Sequence, residues 1–191
     1  MSKLETNTID TVSGTTNLTL GGTNATDITI PSGVTITNNG TQSGFGGTMT
    51  PAFSVRQTTN QTGISSDTLT KISFQTEDLD TDNAFASDKF TVPSGGAGKY
   101  YFSTSARVRS GTVFQLRNAV CYIYKNGSAA KGGNIYSAHY NSNLMLESRQ
   151  NVDFVDDASV GDYYEIYVAG TVDSGTASLS QTIFTGFKII T

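Results

Sequence analysis

Side-chain catalysis needs a nucleophile, a base and a group that orients the base, and this chain of 191 residues holds few such groups. Its one histidine, His139, stands in "SAHYNSNLM" beside Tyr140, and a lone loop histidine reads as inert. Its one cysteine, Cys121, has no disulfide partner. Cys121 falls on the parity opposite Val120, Tyr122 and Tyr124, which predicts burial, and no cationic neighbour is in view to make it a reactive thiolate. The acidic run "EDLDTDN" offers Asp78, Asp80 and Asp82 at alternate positions, the spacing of a calcium loop. The helix-loop-helix calcium motif, however, requires glycine where Asn83 stands and a bidentate glutamate where Lys89 stands. An unrelated calcium site or a solvated acidic loop are the two readings. Glu147, Asp156 and Asp157 read as surface residues. Glycoside hydrolysis would need two carboxylates across a sugar cleft. The expectation is a protein that is not an enzyme, with no cofactor.

The elements that must position these residues are strands. Twenty glycines, no tryptophan, 15% charged residues and abundant Thr, Ser and Asn favour strands and turns, and no long helical stripe occurs. In "KYYFSTSARV" the residues Tyr100, Phe102, Thr104, Ala106 and Val108 share one parity, as in a strand with one buried face. The preceding "VPSGGAG" stops a strand, because Pro93 lacks an amide donor and its glycines permit positive φ. In "YKNG", Asn126 and Gly127 suit a two-residue hairpin turn. From Ala52 on, about nine strand signals follow at sandwich-like spacing, among them "AFSVRQ", "TLTKISF", "SRQNVDFV", "GDYYEIYVAG" and "SQTIFTGFKII".

A net charge of −4 with only 12 Lys and Arg, scattered, excludes a nucleic-acid partner. No segment is apolar enough for membrane insertion as a helix, and "MSKLETNTID" lacks a signal-peptide core, so folding in the cytoplasm is expected.

Residues 1–50 differ from the rest: four charges (Lys3, Glu5, Asp10, Asp27), no aromatic before Phe45, and short stitches "NLTL", "DITI" and "VTIT". Each shows one narrow apolar edge, carried by residues such as Leu20, Ile30 and Ile36, too thin to offset the entropy of ordering the segment alone. A disordered leader and an intertwined multi-chain stem both fit. Low charge and Val/Ile at period two favour the stem, with "SGFGGT" as a hinge into a head over residues 51–191.

In order along the chain, "PAFSVRQ", "FTVPSGGAGKYYFS", "YIYKNG", "GDYYEIYV" and "FTGFKII" resemble the globular-head family of complement's first component, which shares its jelly roll with tumour necrosis factor. The resemblance implies an all-β jelly-roll sandwich, assembly as a homotrimer, and entry into the core of the tyrosine and phenylalanine after the proline-glycine break. That break is longer here than the family's, and the collagen-like repeats common before such heads are absent. In a trimer, Phe184 and Phe187 are expected on opposite faces of the last strand, one towards the sandwich and one towards a neighbouring chain. With Leu20, Ile30 and Ile36 of the stem they are the trimer-interface candidates.

A trimeric head on a β-rich stem, without signal peptide or disulfide, resembles fibre and decoration proteins of tailed bacterial viruses, which fold in the host cytoplasm and become part of the virion. The expectation is a fibre that docks through residues 1–10 on another virion protein and binds host polysaccharide or protein. A capsid decoration protein and a secreted signalling ligand of the tumour necrosis factor type are the alternatives. Counting antiparallel strands back from a C-terminus at the base, as the family implies, puts residues 109–113, 140–147 and 171–179 at the tip. His139, Tyr140, Asn141, Asn143, Asp173 and Ser174 are then the receptor candidates.

Overall fold

The structure is a computed structural model that describes residues 32–35, 49–138 and 144–189, the side chains of residues 131–134 excepted. The stitches with Leu20, Ile30 and Ile36, the docking segment, and His139, Tyr140, Asn141 and Asn143 lie outside the described residues. The chain divides into units of residues 1–43 and 44–191. Of the first, a turn at Ser32 and Gly33 is described, with Gly33 at φ +85°.

The second unit is all-β, with no helix among the described residues. Its strands are β1 Ala52–Arg56, β2 Gln61–Ile64, β3 Thr70–Lys71, β4 Thr76–Asp80, β5 Phe85–Ala86, β6 Lys89–Thr91, β7 Gly98–Ser110, β8 Leu116–Lys125, β9 Ser128–Ala138, β10 Glu147–Ala158, β11 Tyr163–Val172 and β12 Ala177–Lys188. They form two antiparallel sheets of six strands. The first runs β10-β7-β12-β1-β4 with β2 added to β12; the second runs β5-β6-β11-β8-β9 with β3 added to β11. From β6 on, every connection crosses between the sheets except the β8–β9 hairpin. That alternation is a jelly roll.

Period-two patterning places the core between the sheets. Tyr100, Phe102, Thr104, Ala106 and Val108 of β7 all point inward and are buried. Across from them stand Tyr164, Ile166 and Val168 of β11 and Cys121 and Ile123 of β8. At the centre, Phe53 stacks on Phe90 at 4.5 Å between centroids and meets Phe184 edge-on at 4.8 Å, while Phe102 lies 4.1 Å from Tyr164. Each fully buried ring stabilises the fold by about 1.5 to 3 kcal/mol.

The proline-glycine break carries the chain from one sheet to the other. Gly96 donates to Pro93 O at 2.9 Å, and the Tyr100 hydroxyl donates to Gly96 O at 2.6 Å. A Cβ at Gly96 would stand 3.0 Å from the Pro93 ring, so the turn leaves little room for a side chain there. Asn126 and Gly127 adopt φ of 52° and 79°, as the hairpin requires.

Two expectations fail. Among the described residues the strands number twelve rather than nine: β2 and β5 have four residues or fewer, too short for a period to show, and β4 is the third without a signal. The run "EDLDTDN" is not a loop throughout: its first half is the edge strand β4, paired to β1 through Phe53–Asp80 and Ser54–Leu79. Three of its five residues are exposed, so it lacks the hydrophobic alternation that marks a strand. Its charges suit an edge that must not pair further.

Candidate functional site

Three loops meet at one end of the sandwich, and the backbone ties them together. Gly111 donates to Thr176 O at 2.7 Å, and Asp173 donates to Gln115 O at 3.0 Å. Met145 and Leu116 exchange two bonds, and Ser110 donates to Leu146 O at 3.0 Å. The chain enters and leaves the sandwich at the opposite end, where Lys188 N reaches Pro51 O and Ile189 N reaches Lys99 O.

Of the receptor candidates, Asp173 and Ser174 are therefore at the tip, both exposed. The Asp173 carboxylate is already engaged. Arg117 holds it with two bonds, Nε to Oδ1 at 2.8 Å and Nη2 to Oδ2. Hydrogen bonding to Arg117 lowers the carboxyl's pKa below its ordinary value, and the same contact raises that of the guanidinium. Gly175, at φ +77°, passes so close to Thr112 that a Cβ would meet its hydroxyl at 2.9 Å.

The receptor candidates omit the most exposed apolar groups among the described residues of the tip. Val113 and Phe114 are 61% and 60% exposed. Phe114 sits at φ +55°, a region that costs a bulky residue about 1 to 3 kcal/mol. A signal was available: "SGTVF" puts two adjacent apolar residues straight after a turn, where period two can bury only one of them.

The other candidates separate. Phe184 is buried in the core, whereas Phe187 is half-buried on the outer face of the first sheet, 5.4 Å from Tyr101. Val155 and Phe187 are cross-strand partners of Tyr101, so three strands contribute one apolar row, with exposed Ile183 further along β12. Arg107 pairs with Glu147 on the same sheet, and Arg149 reaches Ser105 and Gln181.

The calcium candidates do not converge. Asp78 binds Arg56 at 2.9 Å; Asp80 accepts the backbone amides of Ala84 and Phe85 at 3.0 and 2.8 Å; Asp82 accepts from Thr81. Among the described residues no three His, Cys, Asp or Glu side chains gather as a metal would need. Asp80 and Asp82 shape the turn after β4, and Asp78 ties β4 to β1. Cys121 is fully buried, which pushes its thiol up to about 12. Asp156 is no bystander: it accepts the Tyr164 hydroxyl at 2.6 Å and pairs with Lys125 at 2.8 Å.

No family model matches the chain, and neither does any curated protein. Among solved structures, the globular domain of the zebrafish complement 1qA protein is similar, at 17% identity and a TM-score of 0.48, over 73% of this chain and 97% of that one.

Proposed function

We propose that the head is a non-enzymatic, trimeric binding module of a tailed-bacteriophage fibre, presenting its tip loops to the host surface. The observation that carries this reading is the tip itself: a rigid sandwich ties three loops by backbone bonds while Val113 and Phe114 project beside Ser174 and the Arg117–Asp173 pair. Exposed loops on a rigid scaffold are where binding residues concentrate. The trimer reading is supported by the row Val155, Tyr101 and Phe187, with Ile183, on the outer face of the first sheet. Burial against a neighbouring copy would remove that surface from water. The N-terminus then docks on another virion protein, and the host ligand is a cell-surface polysaccharide or protein.

Three linked heads raise avidity by about a hundredfold or more when all engage. The test substitutes Val113, Phe114, Tyr140, Asn141 and Asp173 by alanine together and measures virion adsorption, with native mass spectrometry as the control. The expected result is an intact trimer that no longer adsorbs. Unchanged adsorption would refute the tip as the receptor surface. Density for the chain on every capsomer of an intact particle would make it a decoration protein instead.

A further inference from the structure

The outer face of the second sheet holds a cleft of about 300 Å³; of the tip segments only Thr171, where the last of them begins, lines it. Its floor is made by two small side chains, Val120 and Ala169, directly opposed across β8 and β11. Tyr122 and Tyr136 stand on one side; Tyr136 is the cross-strand partner of Val120 on β9 and is 57% exposed. Leu69 also lines it, just ahead of β3.

A line of polar groups completes the cleft. Asn118 Nδ2 donates to Thr171 Oγ1 at 3.4 Å, and the Thr171 hydroxyl donates in turn to Asp67 Oδ1. Each donor points towards the carboxylate, so Asp67 ends the line as an anionic acceptor and Asn118 keeps its carbonyl oxygen for a partner. The Asp67 loop is pinned to β11: Asp67 N donates to Gly170 O at 3.0 Å, and Ser66 Oγ accepts from Val172 N at 3.0 Å. Asp67 itself is held at φ +60°.

We infer that this cleft binds a single neutral pyranose ring of a glycan, its apolar CH face against the Tyr136 ring and its hydroxyls donating to Asp67 and Asn118. A pyranose has one face of C–H groups and a rim of hydroxyls, which matches an aromatic side facing a row of acceptors. Charge narrows the class. Among the described residues no Lys, Arg or His lines the cleft and one carboxylate does, so phosphate, sulfate and uronate ligands meet repulsion from Asp67. The volume is at the lower end of small-ligand sites, the size for one ring and not an extended chain. The inference concerns the flank of the head and stands whether or not the tip meets a host receptor.

The test is an amide chemical-shift titration of the full ¹⁵N-labelled chain. The probes are the methyl glycosides of glucose, galactose, mannose and N-acetylglucosamine, with glucuronate and choline chloride as charged comparators. At least one neutral glycoside is expected to shift signals of residues 118–122, Tyr136 and 169–171 at millimolar concentration while those of 111–115 and 173–176 stay put. Asp67→Asn and Tyr136→Ala, both exposed positions, should each weaken binding at least about tenfold, or about 1.4 kcal/mol. Tyr136→Phe should retain it, because the ring and not the hydroxyl makes the contact. Absence of any glycoside response, shifts that survive both substitutions, or a cleft that answers to choline or glucuronate alone would each overturn the inference.

Discussion

Gly186 on β12 lies directly between two rings, opposite Phe53 on β1 and Phe102 on β7. A Cβ placed there would stand 2.6 Å from Phe102 Cδ1 and 2.6 Å from Phe53 Cε1, where ordinary contact begins at 3.4 Å. Gly186→Ala therefore has to open a gap of about 0.8 Å on both sides at once, since backing away from one ring drives the methyl into the other. Neither ring is free to give way. Phe53 stacks on Phe90 at 4.5 Å, and Phe102 lies 4.1 Å from Tyr164. The cost belongs at the upper end of overpacking, about 3 kcal/mol. At about 2 to 4 °C per kcal/mol for a chain of this size, Tm should fall by about 6 to 12 °C. Circular dichroism at fixed protein concentration measures it, with urea unfolding to check that the midpoint falls at constant slope. Phe53→Leu in the same chain makes room, so the double variant should lose less than the two single losses summed. Gly161→Ala is the control: its site has open space, and only φ +87° opposes a side chain, for about 1 kcal/mol. A Tm unchanged by Gly186→Ala would refute the tight ring packing on which the core description rests.

Phe184→Ala should cost about 3 to 5 kcal/mol of stability, as for any fully buried ring. Phe187→Ala should cost the head less but, in the trimer proposed above, shift native mass spectra towards monomer; an unaffected trimer would remove the first sheet's outer face from the interface. Asp173 has a folded pKa below its unfolded value, so its pairing with Arg117 stabilises above the unfolded value and is lost as pH falls through the folded one. In Arg117→Ala the NMR titration midpoint of Asp173 should rise towards 3.8, and a midpoint that does not move would contradict the pairing. The Cys121 thiol, buried and pushed up to about 12, should resist a disulfide reagent at pH 8 in the folded chain and react promptly in denaturant.

Some of this was legible because it is local. Period two along "YYFSTSARV" sorts Tyr100 and Phe102 inward by backbone geometry alone, and the same rule turns Cys121 away from Tyr122. Asn126 and Gly127 specify their turn through the φ values they tolerate. Strand β4 was not legible: its pairing with β1 makes it a strand, and no burial period marks it.

Sequence by itself determined an all-β chain, the inward face of the long strands and the hairpin turn, since each depends on neighbours within a few residues. Tertiary structure alone decided the rest. The Arg117–Asp173 pair joins residues 56 apart, and Asp67 meets Thr171 across 104. Gly186 reads as an ordinary glycine until two rings from other strands close over it. Side chains so distant along the chain meet only after both sheets have formed and stacked, and no local pattern of residue types encodes which of them will face each other.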